Sequence, residues 1–110
     1  VKSEWHNLVE KLGHRFSEEP DMDAIIFLIG LQELGKPYSK YKKDEKLEIM
    51  HVAICTLLEP YGFYEYLGLD EDGWPHWQLK EELPFLDEKQ QNKLMADAII
   101  DYFKKQGFIE

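Results

Sequence analysis

Apolar positions recur at helical spacing in four stretches of the chain. After Ser3, residues Trp5, Leu8, Val9, Leu12 and Phe16 follow the i, i+3, i+4, i+7, i+11 pattern of one helical face. Ser3 supplies the side-chain acceptor that a helix N-terminus needs. Glu4, His6, Glu10, Lys11 and His14 fill the opposite face, and Glu18-Glu19-Pro20 ends the helix. A second helix is predicted from Ala24 to Leu34, capped by Asp21 or Asp23 and stopped by Gly35. It is apolar nearly all round, the mark of a buried helix, and Gly30 would let a neighbour approach closely. Ile and Phe also favour strands, but the sequence offers no second strand to pair with this one, so helix is the expectation.

Gly35-Lys36-Pro37 through Lys43 reads as a basic connector with a helical turn near Ser39. A third helix is predicted from Lys46 to Glu59, capped by Asp44 and stopped by Pro60, with Leu47, Met50, Ile54, Leu57 and Leu58 as its apolar stripe. Asp87 and Gln90 have the spacing of a capping box that opens a fourth helix. Leu94, Met95, Ala98, Ile99, Tyr102 and Phe103 form its core face, and Gly107 closes it. The expected fold is therefore all-α: a small four-helix bundle-like domain over residues 1–110, with one long aromatic connection between the third and fourth helices.

That connection, Tyr61 to Leu86, exceeds the ~12–15 residues beyond which loops without secondary structure are uncommon. It must be docked, partly helical or functional. Tyr61 to Leu67 is the candidate for a short extra helix, and Gln78 to Phe85 for irregular chain or a single turn ended by Pro84. There is no internal repeat and no low-complexity segment.

Composition and charge narrow the function. The 110 residues suit one core, which a 44% hydrophobic and 14% aromatic content is enough to fill. Twenty-two acids against 13 bases leave a formal charge of −9, which opposes phosphate contacts and argues against nucleic acid. A basic partner is more natural, and the plainer reading is that the acidity mainly confers solubility. The acidity is uneven: Glu65 to Glu88 holds eight acids and only Lys80, while five lysines cluster between Lys36 and Lys46. Cys55 is the only cysteine, so a reducing cytoplasm is expected. Val1 to Trp5 has no basic segment leading into an apolar run, so no signal peptide is expected there. The longest apolar run, Ala24 to Leu31, falls far short of the ~20 residues that span a bilayer.

The densest feature is Tyr61 to Trp77, with six of the fifteen aromatics in seventeen residues, three glycines, Pro75, and the acids Asp70, Glu71 and Asp72. Such a segment either folds back as a lid on the core or presents an adhesive acidic surface. As a partner-binding surface its residues are Tyr64, Tyr66, Asp70, Glu71, Asp72, Trp74, His76 and Trp77. A rival reading lies on the third helix, where Glu48, His51, Cys55 and Glu59 share one sector at ~100° per residue. Glu48-x-x-His51 has the spacing of carboxylate-imidazole metal pairs, but a zinc site needs about four ligands, to be recruited from His76, Asp97 and Asp101. Asp97 and Asp101 are otherwise a solvated helix face. Asp70 to Gly73 resembles a calcium loop, yet aligning Gly73 puts Gly68 at the first ligand position and Leu79 at the twelfth, where an acid is required. No serine sits in a glycine-flanked elbow, and no glycine-rich phosphate loop exists.

Nothing therefore advertises an enzyme, a cofactor or a metal. The first expectation is a non-enzymatic acidic helical interaction or regulatory domain that binds a protein through 61–77, with no nucleic acid and no membrane. The alternatives are a metal-binding helical protein or metal-dependent enzyme centred on Glu48, His51 and Cys55, and a structural homodimer; monomer and homodimer both remain open.

Overall fold

The computed structural model describes residues 3–15, 19–82 and 84–109. In chain order it contains α1 (Glu4–Arg15), α2 (Met22–Leu34), α3 (Lys43–Leu58), a 3-10 turn (Glu59–Tyr61), β1 (Tyr64–Leu69), β2 (Pro75–Leu79) and α4 (Glu88–Lys105). β1 and β2 form a two-stranded antiparallel sheet. The all-α, four-helix bundle-like expectation is thereby corrected: among the described residues four helices are present, but the long aromatic connection contains a β-hairpin. Tyr61 to Leu67, expected as an extra helix, is the end of the 3-10 turn and the start of β1. Gln78 and Leu79 belong to β2, not to irregular chain. The physical reason is that aromatic residues on alternate positions suit a pleated, half-buried surface, and left-handed glycines at both ends of β1 prevent helical continuation.

Proximity in space sorts the chain into two compact units, the residues up to Ile25 with those from Leu86 onward, and Ile26–Phe85. In the first unit the helices start where capping chemistry allows. The His6 amide donates to Ser3 Oγ at 3.1 Å, and the Ala24 amide donates to Asp21 Oδ1 at 2.8 Å, so Asp21 rather than Asp23 caps α2. Asp87 and Gln90 form the reciprocal box, at 2.7 and 3.0 Å. Leu8, Leu12, Ile25, Ala98, Ile99, Ile100 and Tyr102 are buried, while Trp5 and Val9 are half-buried. Phe16 and Glu18, expected at the end of the first helix, lie outside the described residues. Glu4 at the start of α1 pairs with Lys104 near the end of α4 at 2.5 Å, and that hydrogen bond raises the lysine above its ordinary value. Lys11 donates to the Phe108 carbonyl and lies 4.8 Å from the centre of its ring.

In the second unit α2 meets α3 at Gly30. A Cβ there would stand 2.6 Å from Ile49 Cγ2 and 3.0 Å from its carbonyl carbon, so the close approach expected at this glycine is present. α3 differs from expectation in three ways. It begins at Lys43, because the Lys42 amide donates to Glu45 Oε1 at 3.0 Å; Asp44 is in the first turn, where the helix dipole favours an acid. It ends at Leu58, and Pro60 enters the 3-10 turn without needing an amide donor. Its buried residues are Ile49, Val52, Ala53, Cys55, Leu57 and Leu58, whereas Met50 and Ile54 are half-buried and Leu47 is 59% exposed. Apolar residues occupy most sides of this helix, so spacing alone could not select the inward stripe. The connector before α3 carries a bend at Tyr38 and no helical turn at Ser39; Phe27 packs edge-on against Tyr38 and Tyr41.

Candidate functional site

The hairpin is built by its three glycines and one aspartate. Gly62, at φ 86°, takes the left-handed conformation after the 3-10 turn. Its amide donates to Glu59 O and the Phe63 amide donates to Leu58 O, satisfying carbonyls that the helix end leaves open. Pairing then runs Tyr64 with Leu79, Glu65 with Gln78 and Tyr66 with Trp77, and slips by one residue between Tyr66 and Gly68. Leu67 is the extra residue of this bulge, and Gly68 follows it at φ 102°.

Asp70 organises the turn. Its Oδ1 accepts from the amides of Asp72 and Trp74, both at 2.9 Å, and its carbonyl accepts from the Gly73 amide at 3.0 Å. The Asp70 amide in turn donates to Trp74 O at 2.9 Å, closing a three-residue connection with Gly73 left-handed at φ 82°. Asp70 Oδ2 meets His76 Nε2 at 2.8 Å. The hydrogen bond from His76, followed by that from the Trp74 amide, holds the Asp70 carboxyl below the usual carboxylate range. The Asp-x-x-Gly pattern that resembles a calcium loop is thus a hairpin turn.

The predicted partner-binding residues divide by exposure. Tyr66 is exposed and its ring centre lies 4.8 Å from that of half-buried Trp77, as a directly opposed cross-strand pair allows. Asp70, Glu71, Asp72 and His76 are exposed; Tyr64 and Trp74 are half-buried. Trp77 Nε1 is buried without an acceptor among the described residues. Residues 67, 69 and 79, absent from the expected site, are exposed leucines on the same two strands. The signal that could have found them was the turn pattern flanked by alternating aromatics.

Half-buried Tyr64 stands edge-on to His51 of α3, ring centres 6.4 Å apart. Burial, then the neighbouring Cys55, raise the tyrosine hydroxyl above its ordinary pKa. Above this contact a groove of about 570 Å³ opens between α3 and the turn, lined by Leu47, Glu48, His51, Asp70, Asp72 and Trp74. No family model, curated protein or solved structure matches this chain. Its chemistry must be read from the groove and the hairpin alone.

The metal-ligand sector does not assemble. Cys55 is fully buried, its Sγ 3.6 Å from Nε2 of exposed His51. His76 is engaged by Asp70, and Asp97 pairs with Lys93 at 3.2 Å. Among the described residues no three His, Cys, Asp or Glu side chains are placed to hold a metal ion. Burial pushes the Cys55 thiol up to about 11, so it is not a poised nucleophile. Among the described residues no helix is long and apolar enough to cross a membrane.

Proposed function

We propose that the chain is a non-enzymatic protein-interaction domain that binds a basic partner through the β1–β2 hairpin and its acidic turn. The observation that carries this is the exposure of Tyr66, Leu67, Leu69 and Leu79: of seven exposed large hydrophobic residues among those described, four stand on these two short strands. Exposed apolar side chains gathered on one small element, rimmed by polar groups, mark interaction surfaces more often than solvated scaffolding. The rim here is Glu65, Asp70, Glu71 and Asp72, and a net charge of −9 favours a cationic partner by steering it to the acidic surface. The same charge opposes pairing with a second copy of the chain. Side chains rather than backbone edges would make the contact, since the bulge at Leu67 and the missing amide of Pro75 both blunt strand addition. The lone thiol of Cys55 fits a reducing cytoplasm.

Photocrosslinking tests the assignment. With p-benzoylphenylalanine incorporated at Leu69, crosslinks should form to a distinct protein of net positive charge, and the same group placed at Lys89 on α4 should give none. Crosslinks only between copies of the chain would point to self-association, and equal yields at Leu69 and Lys89 would refute the hairpin as the binding surface.

A further inference from the structure

The groove between α3 and the turn contains more chemistry than a hairpin surface requires. Its two apolar walls come from separate elements: Leu47, 59% exposed on α3, and the half-buried indole of Trp74 at the start of β2. Its carboxylates divide into two kinds. Asp70 is committed to the turn and to His76. Among the described residues, Glu48 and Asp72 make no side-chain hydrogen bond or ion pair and no lysine or arginine lines the groove.

We infer that this groove seats a single arginine side chain of the basic partner, a step that rests on the interaction reading above. Each wall matches one part of that side chain. A planar guanidinium stacks on an indole face, and its fork of donors meets carboxylates in pairs. The aliphatic stem covers an exposed leucine while the charged head stays at the carboxylates. A neutral apolar group would strip water from Glu48 and Asp72 without replacing their hydrogen bonds, and an anion would be repelled. A lysine would satisfy the charge but not the flat indole surface or the paired acceptors. The groove is within the ~300–1,000 Å³ span of small-ligand sites, leaving room for the backbone that carries the arginine. Glu48 and Leu47 thereby join the binding surface from outside residues 61–77.

The test is an amide and indole NMR titration of the intact chain with N-acetyl-arginine methylamide, using the neutral isostere N-acetyl-citrulline methylamide as control. Saturable shifts should centre on Leu47, Glu48, His51, Asp72 and Trp74, with none from citrulline. The paired substitutions Glu48→Gln and Asp72→Asn, both at exposed positions, should weaken arginine binding about tenfold or more while the remaining resonances stay in place. Shifts that are scattered, unsaturable or equal for citrulline overturn the seat. Crosslinking at Leu69 separates the two ideas. Partner capture that persists undiminished in the paired variant removes the arginine seat and leaves the interaction domain. Saturable arginine binding in a chain whose Leu69 captures nothing supports the seat and removes the hairpin interface.

Discussion

Gly30→Ala sets two opposing effects against each other, and the structure says which is larger. In an exposed helix interior, alanine is favoured over glycine by ~0.8–1 kcal/mol. At position 30 the added methyl would lie 2.6 Å from Ile49 Cγ2 and 3.0 Å from the Ile49 carbonyl carbon, with the carbonyl oxygen closer still. Comfortable carbon-carbon separation is ~3.5–4.0 Å, so the overlap is about 1 Å. The obstructing group is the α3 backbone, which cannot rotate out of the way. Overpacking of this kind costs roughly 1–3 kcal/mol, and a backbone obstacle belongs at the upper end. Subtracting the propensity gain leaves a net destabilisation of about 2 kcal/mol, a fall in Tm of roughly 8–16 °C for a chain near 100 residues. Urea and thermal unfolding followed by circular dichroism measure it, with Asn92→Ala on the exposed face of α4 as a propensity control that should stabilise by about 0.5 kcal/mol. A Gly30→Ala protein as stable as the parent, with unchanged urea dependence, would show that α2 and α3 do not meet at this glycine.

Two further outcomes follow from titratable groups. Burial raises the Cys55 thiol from 9.0 to about 11, which lowers its thiolate fraction at neutral pH but is half offset by the greater nucleophilicity of a more basic thiolate; native protein should react with a disulfide reagent at least about tenfold more slowly than urea-unfolded protein, and equal rates would contradict the burial. The Asp70 carboxyl is depressed by His76 and by the turn amides, so its contribution to the hairpin is fully present above the ordinary carboxylate pKa and is lost as pH falls through the lower folded value. The protection factor of the Trp74 amide, its exchange rate set against the intrinsic rate at each pH, should therefore fall on acidification in the parent, and should already be low at neutral pH in Asp70→Ala; an amide equally protected in both would remove Asp70 from the turn.

The helices were legible because their signals are local. Ser3, Asp21 and the Asp87–Gln90 box each hydrogen-bond within three residues of their own position, and spacing captures such contacts. The α3 stripe was not, since both Leu47-Met50-Ile54 and Ile49-Val52-Ala53 satisfy helical periodicity, and only the neighbouring chain decides between them. The hairpin was hidden for a different reason. Alternation holds through Tyr64, Glu65 and Tyr66 but breaks at Leu67, where the bulge inserts a residue and shifts the pairing by one. A strand with a bulge no longer has period two, so the aromatics pointed toward either helix or loop.

The same non-locality shaped the candidate site. In sequence, Glu48 and His51 on the third helix and the acids beyond Tyr61 are more than ten residues apart and suggest different chemistries, metal ligation for one and adhesion for the other. The left-handed Gly62 reverses the chain after α3, and Tyr64 docks edge-on to His51. That docking brings the turn over the first half of α3, so Glu48, His51, Asp70, Asp72 and Trp74 line one groove. Substituting Gly62 by a β-branched residue would penalise the left-handed backbone by ~1–2 kcal/mol at the point that aims the hairpin. The groove residues should then lose their common environment even though each remains in the chain.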